Sequence, residues 1–155
     1  MSTRLTRVTL TLVVAAFLLS GCLLGSSRSA WEVKITSAKA ADEWDEFYMD
    51  ADSSNYMIVI EIEFRNMRQD AVQFSPESVV LVHTGAEETG WGQTPALHKS
   101  GSSTQITDFY SESVMYSVAG GESRADTFVF EFPRGYTEFL LYFPETAPIV
   151  INVGS

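Results

Sequence analysis

The chain has 155 residues, of which 45% are hydrophobic and 12% aromatic, a composition that predicts one folded domain rather than a disordered chain. Twenty acidic and ten basic residues give a formal net charge of −10. A surface this acidic repels phosphate backbones and anionic headgroups, which excludes nucleic acid as a partner and argues against electrostatic docking on a membrane.

The first 22 residues have the parts of a secretory leader. Arg4 and Arg7 form a basic start, and an apolar run follows over residues 8–19. The run ends in Leu19-Ser20-Gly21-Cys22, which resembles the bacterial lipobox, and Cys22 is the only cysteine of the chain. In proteins with that motif the cysteine thiol carries a diacylglycerol, the leader is cut just before the cysteine, and an N-acyl chain can follow. The resemblance implies a lipid on Cys22 and a leader of residues 1–21.

The predicted lipid and linker determine where the domain lies. Two acyl chains hold a protein on a bilayer stably, whereas one binds reversibly. Residues 22–30 comprise the lipidated cysteine and a flexible Ser- and Gly-rich linker, and the eight residues after Cys22 extend at most about 26–29 Å. We therefore expect an exported domain that is anchored by its lipid to the outer face of the cell membrane. Because Leu23 rather than Asp follows the cysteine, sorting to an outer membrane is permitted in a Gram-negative cell.

Two other interpretations of the leader stay open. It can be a transmembrane anchor, although its apolar run extends at most to Leu24 and is near the lower limit for crossing a bilayer. It can also be an ordinary secretory leader in which Cys22 is incidental. In all three cases the domain is exported.

Residues 31–155 are predicted to form the domain. Residues 31–35 alternate apolar and polar side chains and predict a first strand, and residues 38–55 predict a long acidic loop. The clearest strand is residues 56–66, with Ile58, Ile60, Ile62 and Phe64 on one face. Further strands are predicted at 71–74, 78–83, 127–132, 138–143 and 149–153, where 127–132 has Phe128, Phe130 and Phe132 inward and Val129 and Glu131 outward.

The remaining segments are less regular. Residues 85–103 predict a long loop with at most an edge strand, and residues 104–118 are ambiguous. No stretch has a sustained helical period, and seven to nine short strands separated by turn signals are typical of an all-β, antiparallel sandwich or barrel.

Several short sequence motifs occur in an order and spacing that resemble those of a known family. They are Trp31-Glu32-Val33, the run from Tyr56 to Ile62 with Asn66 after it, Val79-Val80-Leu81, Gly120-Gly121-Glu122 and the run from Phe128 to Pro133. Over residues 31–153 the chain resembles the telokin-like, immunoglobulin-like β-sandwich family of bacterial and archaeal exported lipoproteins. The resemblance implies an antiparallel immunoglobulin-like sandwich outside the cytoplasm and no catalytic motif to transfer. This chain departs from the family pattern at residues 85–103 and at His83.

Loop aromatics and acidic residues are the candidate binding groups. Aromatic side chains in loops either anchor a partner or fold back on the core, and four lie in loop-like segments: Trp44, Trp91, Phe109 and Tyr110. Asp50 and Asp52 make a weak calcium candidate, because the segment lacks the glycine and distal glutamate of a helix–loop–helix site.

The two histidines, His83 and His98, are too few for a usual zinc site and are expected at the surface or at strand ends. A Ser–His–Asp hydrolase is permitted by composition, but no Gly-x-Ser-x-Gly elbow supports it.

These patterns predict a non-catalytic binding module in the cell envelope. Its expected partners are the membrane, through the lipid, and an envelope protein or other envelope ligand. No cofactor is expected apart from the covalent acyl chains. An acidic-loop module for calcium or a small ligand is the alternative from another class, and a hydrolase is a second alternative.

Overall fold

The computed structural model describes residues 29–85, 92–101, 103–109 and 112–154, so the leader, Cys22 and most of the predicted linker lie outside the described residues. The described residues form an antiparallel β-sandwich, which confirms the predicted all-β class. They contain one 3₁₀ turn, Pro76–Ser78, and none of the described segments is a helix with the length and apolar character that crossing a bilayer requires. Twelve strands lie within the described segments: β1 Trp31–Ala41, β2 Glu43–Trp44, β3 Phe47–Tyr48, β4 Asn55–Asn66, β5 Val72–Phe74, β6 Val80–His83, β7 Leu97–Ser100, β8 Ile106–Asp108, β9 Tyr116–Val118, β10 Ser123–Pro133, β11 Glu138–Tyr142 and β12 Ile149–Asn152.

The first layer is a five-stranded sheet in the order β1-β4-β10-β7-β8. The alternation predicted for its two longest strands is confirmed. In β4 every second residue from Ile58 to Phe64 is buried, while Glu61 and Glu63 are exposed. In β10 the inward phenylalanines are fully buried, and Phe128 lies opposite Ile60 in the ladder.

The second layer is a three-stranded sheet in the order β12-β11-β6, and the short β5–β9 ladder adds to the same core. Leu81, Phe139 and Leu141 are fully buried against the first sheet. Aromatic rings fill one end of the core, where Trp31 meets Phe64 edge to face at 5.7 Å between centroids. This packing of two apolar faces is the main source of stability in a sandwich.

The acidic segment 38–55 is not the long loop that the sequence predicts. β1 continues to Ala41 after a bulge between Ile35 and Ser37, and the β2–β3 hairpin folds back over the outer face of the first sheet. A second core forms beneath this hairpin from Met57, Val59, Ala96, Leu97 and Val129. Val129 points outward as predicted, but the hairpin covers it and it is fully buried. The hairpin exposes its acidic residues, which is why the segment resembles a loop in the sequence.

The predicted loop of residues 85–103 also contains an internal strand. β7 lies between β10 and β8, so β8 rather than β7 is the sheet edge. Gln93 pairs with Leu81 through two backbone hydrogen bonds of 2.9 and 2.8 Å. β7 lacks apolar alternation because its inward positions carry His98 and Ser100. The ambiguous residues 104–118 contain the short strands β8 and β9.

The two ends of the sandwich lie at opposite ends of β4. At the entry end, where β1 begins, Trp31 lies opposite Asn66 and the Met67 amide donates to the Ala30 carbonyl at 2.8 Å. At the far end, Ala41 lies opposite Met57 and the Arg134 amide donates to the Ser54 carbonyl. β4 runs from the far end to the entry end, and its 12 residues span roughly 36 Å at about 3.3 Å per residue.

Candidate functional site

A buried polar cluster of His98, Tyr116, Arg124 and Asp126 lies between β7, β9 and β10. His98 Nε2 is 3.0 Å from Asp126 Oδ2, and each of the two residues is only 2% exposed. The Tyr116 hydroxyl donates to the same carboxylate oxygen, and the Gly101 amide donates to Asp126 Oδ1 at 3.2 Å. One carboxylate therefore joins three segments of the chain.

The charge of Asp126 is compensated within this cluster. The Arg124 guanidinium lies 4.2 Å from the centroid of the Tyr116 ring and donates to Ser100 Oγ at 2.7 Å. Burial raises the pKa of Asp126, but hydrogen bonds from His98 and Tyr116 outweigh it and leave that pKa below its ordinary value. Burial and the neighbouring Asp126 carboxylate both raise the pKa of Tyr116. Asp126 is therefore a buried carboxylate that stays ionised, and Tyr116 stays a neutral donor.

The His98 ring is enclosed by aromatic side chains. It stacks on Phe109 and Tyr116, each at 6.2 Å between centroids, and it meets Phe128 at 5.1 Å. Within the described part of the chain, the His98 side chain is hydrogen-bonded to Asp126. A Ser–His–Asp triad also requires a serine hydroxyl bonded to the histidine, and none of the described serines makes that contact. This geometry suits a pair that fixes β7 to β10.

The expectation that both histidines are at the surface or at strand ends is wrong for His98. It holds for His83, the last residue of β6, which stacks on Tyr136 at 4.3 Å. A signal for the buried cluster was present in the sequence. Asp126 is in phase with Phe128 and Phe130 on β10, so the alternation places a carboxylate on the core face, and a buried carboxylate requires partners.

Removing the charge of Asp126 should cost stability. Asp126→Asn leaves two buried donors, His98 Nε2–H and the Tyr116 hydroxyl, facing a neutral amide, and we expect a loss of roughly 2–4 kcal/mol in the free energy of unfolding. Asp70→Asn, at an exposed position, is the matched control and should change little. Urea denaturation followed by circular dichroism measures both.

The same variant has a defined pH dependence. The folded-state pKa of Asp126 is lowered, so its ionisation contributes stability above its unfolded pKa of about 3.9, and that stability is lost as the pH falls through the folded value. The difference in stability between the parent chain and Asp126→Asn should therefore narrow below about pH 4. A difference that is constant from neutral to acidic pH would contradict an ionised Asp126.

The far end carries a cavity of about 310 Å³ between the two sheets. The Tyr56 hydroxyl donates to the Tyr136 carbonyl beside it, and Arg134 pairs with Asp42 at its rim. Burial raises the pKa of Tyr56, with a smaller opposing effect of Arg134, so the phenol stays a donor. A mostly apolar recess with a few polar groups at its rim is the usual character of a small binding site. The lining residues are Ala40, Ala41, Asp42, Tyr56, Arg134, Gly135, Tyr136, Thr137, Val153 and Gly154.

The predicted contact aromatics are separated in the structure. Trp44 is partly buried and packs with the second core beneath the β2–β3 hairpin. Phe109 is partly buried on His98. Trp91 and Tyr110 lie outside the described residues. Both described aromatics are folded back on the domain, whereas Tyr48, at 76% exposed, is an open aromatic that the prediction missed.

The weak calcium candidates lie in one exposed turn. Asp50 and Asp52 are exposed, and the Ser53 amide donates to the Asp50 carbonyl at 2.8 Å. Across residues 29–85, 92–101, 103–109 and 112–154, no group of three histidine, cysteine, aspartate or glutamate side chains is placed to hold a metal ion. Calcium binding by this turn stays a prediction, for which calorimetric titration is the measurement.

Comparison with known proteins supports the fold. No family model and no curated protein matches the chain. Its structure is similar to that of the proposed lipoprotein ycdA from Bacillus subtilis, with a TM-score of 0.51 and 12% identity over 80% of this chain and 37% of that one. It is equally similar to an uncharacterized β-sandwich protein from Clostridium difficile 630, with a TM-score of 0.51 and 12% identity over 83% and 87% of the two chains. The chain thus spans just over a third of the length of ycdA.

Proposed function

We propose that this protein is an exported lipoprotein whose β-sandwich is a non-catalytic binding module held at a membrane by Cys22. The observation that carries the proposal is the separation of the two ends of the sandwich. The chain enters the fold at Trp31, and the cavity beside Tyr56 lies at the opposite end. A domain tethered through its entry end presents its far end to the surroundings.

The entry end fixes the geometry of the tether. Ala30 is hydrogen-bonded to Met67, so the linker leaves the fold at a defined point. The linker reaches at most about 26–29 Å, and the far end lies roughly 36 Å beyond the entry end. The recognition surface would then stand within several tens of ångströms of the bilayer, within reach of other envelope components.

The charge distribution favours the same orientation. The far end carries the exposed carboxylates of Asp42, Asp50 and Asp52, of which Asp42 pairs with the Arg134 guanidinium. An anionic bilayer repels such a surface, so the far end faces away from the lipid. Loops at one end of a sandwich are common recognition surfaces, because a rigid scaffold positions them while they tolerate variation.

The similarity to ycdA, itself a proposed lipoprotein, supports export and membrane anchoring for this chain. We also assign the sandwich to the immunoglobulin-like, telokin-like type on the residues between Trp31 and Pro133 that resemble that family.

Site-specific photo-crosslinking in intact cells tests the proposal. Tyr136, at the far end and 39% exposed, is replaced by benzoylphenylalanine in one variant, and Met67, at the entry end and 53% exposed, in a matched control. We expect the far-end probe to capture an envelope protein or glycan reproducibly and the entry-end probe to give a different product, dominated by lipid. Identical products from the two positions, or no product from the far end, would count against a binding role for that end.

A further inference from the structure

Among the residues that the structure describes, β12 is the outer strand of the second sheet, and no described strand pairs with its outward edge. The Val153 amide donates to the Thr137 carbonyl of the β11 side at 2.9 Å. Because antiparallel strands alternate the direction of their hydrogen bonds, Ile149 and Ile151 also bond toward β11. Val150 and Asn152 therefore direct their N–H and C=O groups away from the sheet.

The opposite side of the sheet gives the same phase independently. The Thr84 amide donates to the Glu138 carbonyl at 3.1 Å. Glu138 and every second residue after it on β11 therefore bond toward β6. The backbone N–H and C=O of Leu81 both bond to Gln93, on the side of β6 away from β11. Leu81 and Leu141, which lie opposite each other, are therefore a non-hydrogen-bonded pair. Leu141 thus bonds toward β12, in agreement with the bond between Val153 and Thr137.

β12 lacks the features by which proteins prevent an edge strand from pairing with a strand of another chain. β12 has the sequence Ile-Val-Ile-Asn with no charge, no proline and no register shift, and Val150 is 58% exposed. β1, the neighbouring edge, has a bulge after Ile35 and carries Lys34 and Lys39. The outer edge of β6 is covered by Gln93. A flat, uncharged edge with free hydrogen-bonding groups is a template for another strand.

We infer that β12 pairs in antiparallel fashion with β12 of a second copy of this chain, so that two three-stranded sheets become one of six. The hydrogen-bond phase limits the register, because outward-bonding residues must face one another. The register that pairs the two outward-bonding residues of β12 with each other sets Val150 opposite Asn152 of the second copy, with Ile151 on the twofold axis. At each end of this ladder the Gly154 amide faces the Pro148 carbonyl, and Pro148 has no N–H to return. Such an interface is self-complementary.

The charge pattern favours a second copy as the occupant. The paired segments carry no charged side chain in a chain of net charge −10, so no like charges face each other across the ladder. A pair of four-residue strands is smaller than the roughly 1,200–2,000 Å² of stable interfaces, so the contact is weak between free molecules. The inference rests on the proposed function, because tethering to one membrane supplies the local concentration that a weak contact needs.

Disulfide trapping of the full chain in its native membrane tests the pairing. Val150→Cys and Asn152→Cys chains are expressed together and oxidised. Opposed residues of a hydrogen-bonded pair have Cα atoms about 5.5 Å apart, within the range of a disulfide. Two copies of either variant alone place their cysteines about 9 Å apart, beyond that range. We expect several-fold more disulfide dimer from the mixture than from either variant alone.

Two controls make the result decisive. Adding Asn152→Pro to the Val150→Cys chain removes an outward N–H without breaking a bond to β11, so the fold should persist while the dimer falls to the single-variant level. Tyr48→Cys, at a position that is 76% exposed against 58% for Val150, should give only background. Equal dimer from the mixture and the single variants, a dimer that survives the proline, or a disulfide to a different protein would overturn the inference.

The parent chain without added cysteine separates the two proposals. If Cys22 carries lipid, oxidation gives no dimer of the parent chain. A dimer linked through Cys22 would show a free thiol and contradict the proposed anchor, whatever the outcome at β12.

Discussion

Replacing Cys22 with serine should abolish incorporation of labelled fatty acid into the protein. The proposed anchor joins the lipid to Cys22 through a thioether, and a serine hydroxyl does not replace the thiol in that linkage. Each buried CH₂ group of an acyl chain is worth about 0.8 kcal/mol, so two chains account for stable anchoring and their loss removes it. Growth with radiolabelled palmitate, followed by isolation of the protein, measures the effect.

The matched control for this variant is Ser26→Ala, in the predicted linker. It leaves the lipobox intact and should label like the parent chain. Fatty-acid label is a better measurement than cell fractionation, because an uncut leader with an apolar run over residues 8–19 can itself retain the protein at the membrane. Persistent labelling of Cys22→Ser would show that the lipid is on another residue.

Ile60→Asp should unfold the domain. Ile60 is fully buried on β4 and faces Phe128 across the ladder. The substitution loses roughly 1.5–3 kcal/mol of hydrophobic burial and adds a buried carboxylate without partners, which costs several kcal/mol more. The sum is comparable with the 5–15 kcal/mol that typically stabilises a domain. Circular dichroism and limited proteolysis of the purified variant measure the loss.

The control lies one residue further along the same strand. Glu61 is exposed on the opposite face of β4, so Glu61→Ala should melt close to the parent chain. A folded, cooperatively melting Ile60→Asp variant would mean that the inward face of β4 has been assigned incorrectly.

The sequence predicts β4 and β10 well because each has one apolar face over many residues. It also contained a hint of the second core. Met57 and Val59 interrupt the polar face of β4, and such a doubly apolar stretch indicates a strand covered on both sides. The segment that covers Met57 and Val59 could not be predicted. The β2–β3 hairpin contributes Trp44 and Phe47 from a segment whose other residues are mostly polar.

The buried polar cluster shows why the candidate site was only partly predictable. Period-two alternation identifies buried positions by their apolar residues, so β7, with His98 on its core face, resembled a loop. Its partner Asp126 lies 28 residues after His98 in the sequence. Contacts over that separation depend on strand order, which the pattern of a single chain does not encode. The far-end cavity likewise depends on how four parts of the chain meet, at residues 40–42, 56, 134–137 and 153–154.

The proposed function requires that this domain is tethered to a membrane through a modified Cys22. Mass spectrometry of the native protein, extracted from membranes without mutation, measures that modification. We expect a chain that begins at Cys22 and carries the added mass of a diacylglyceryl group. A chain with an intact, unmodified N-terminus would contradict the proposed anchor and leave the β-sandwich without its proposed place in the cell.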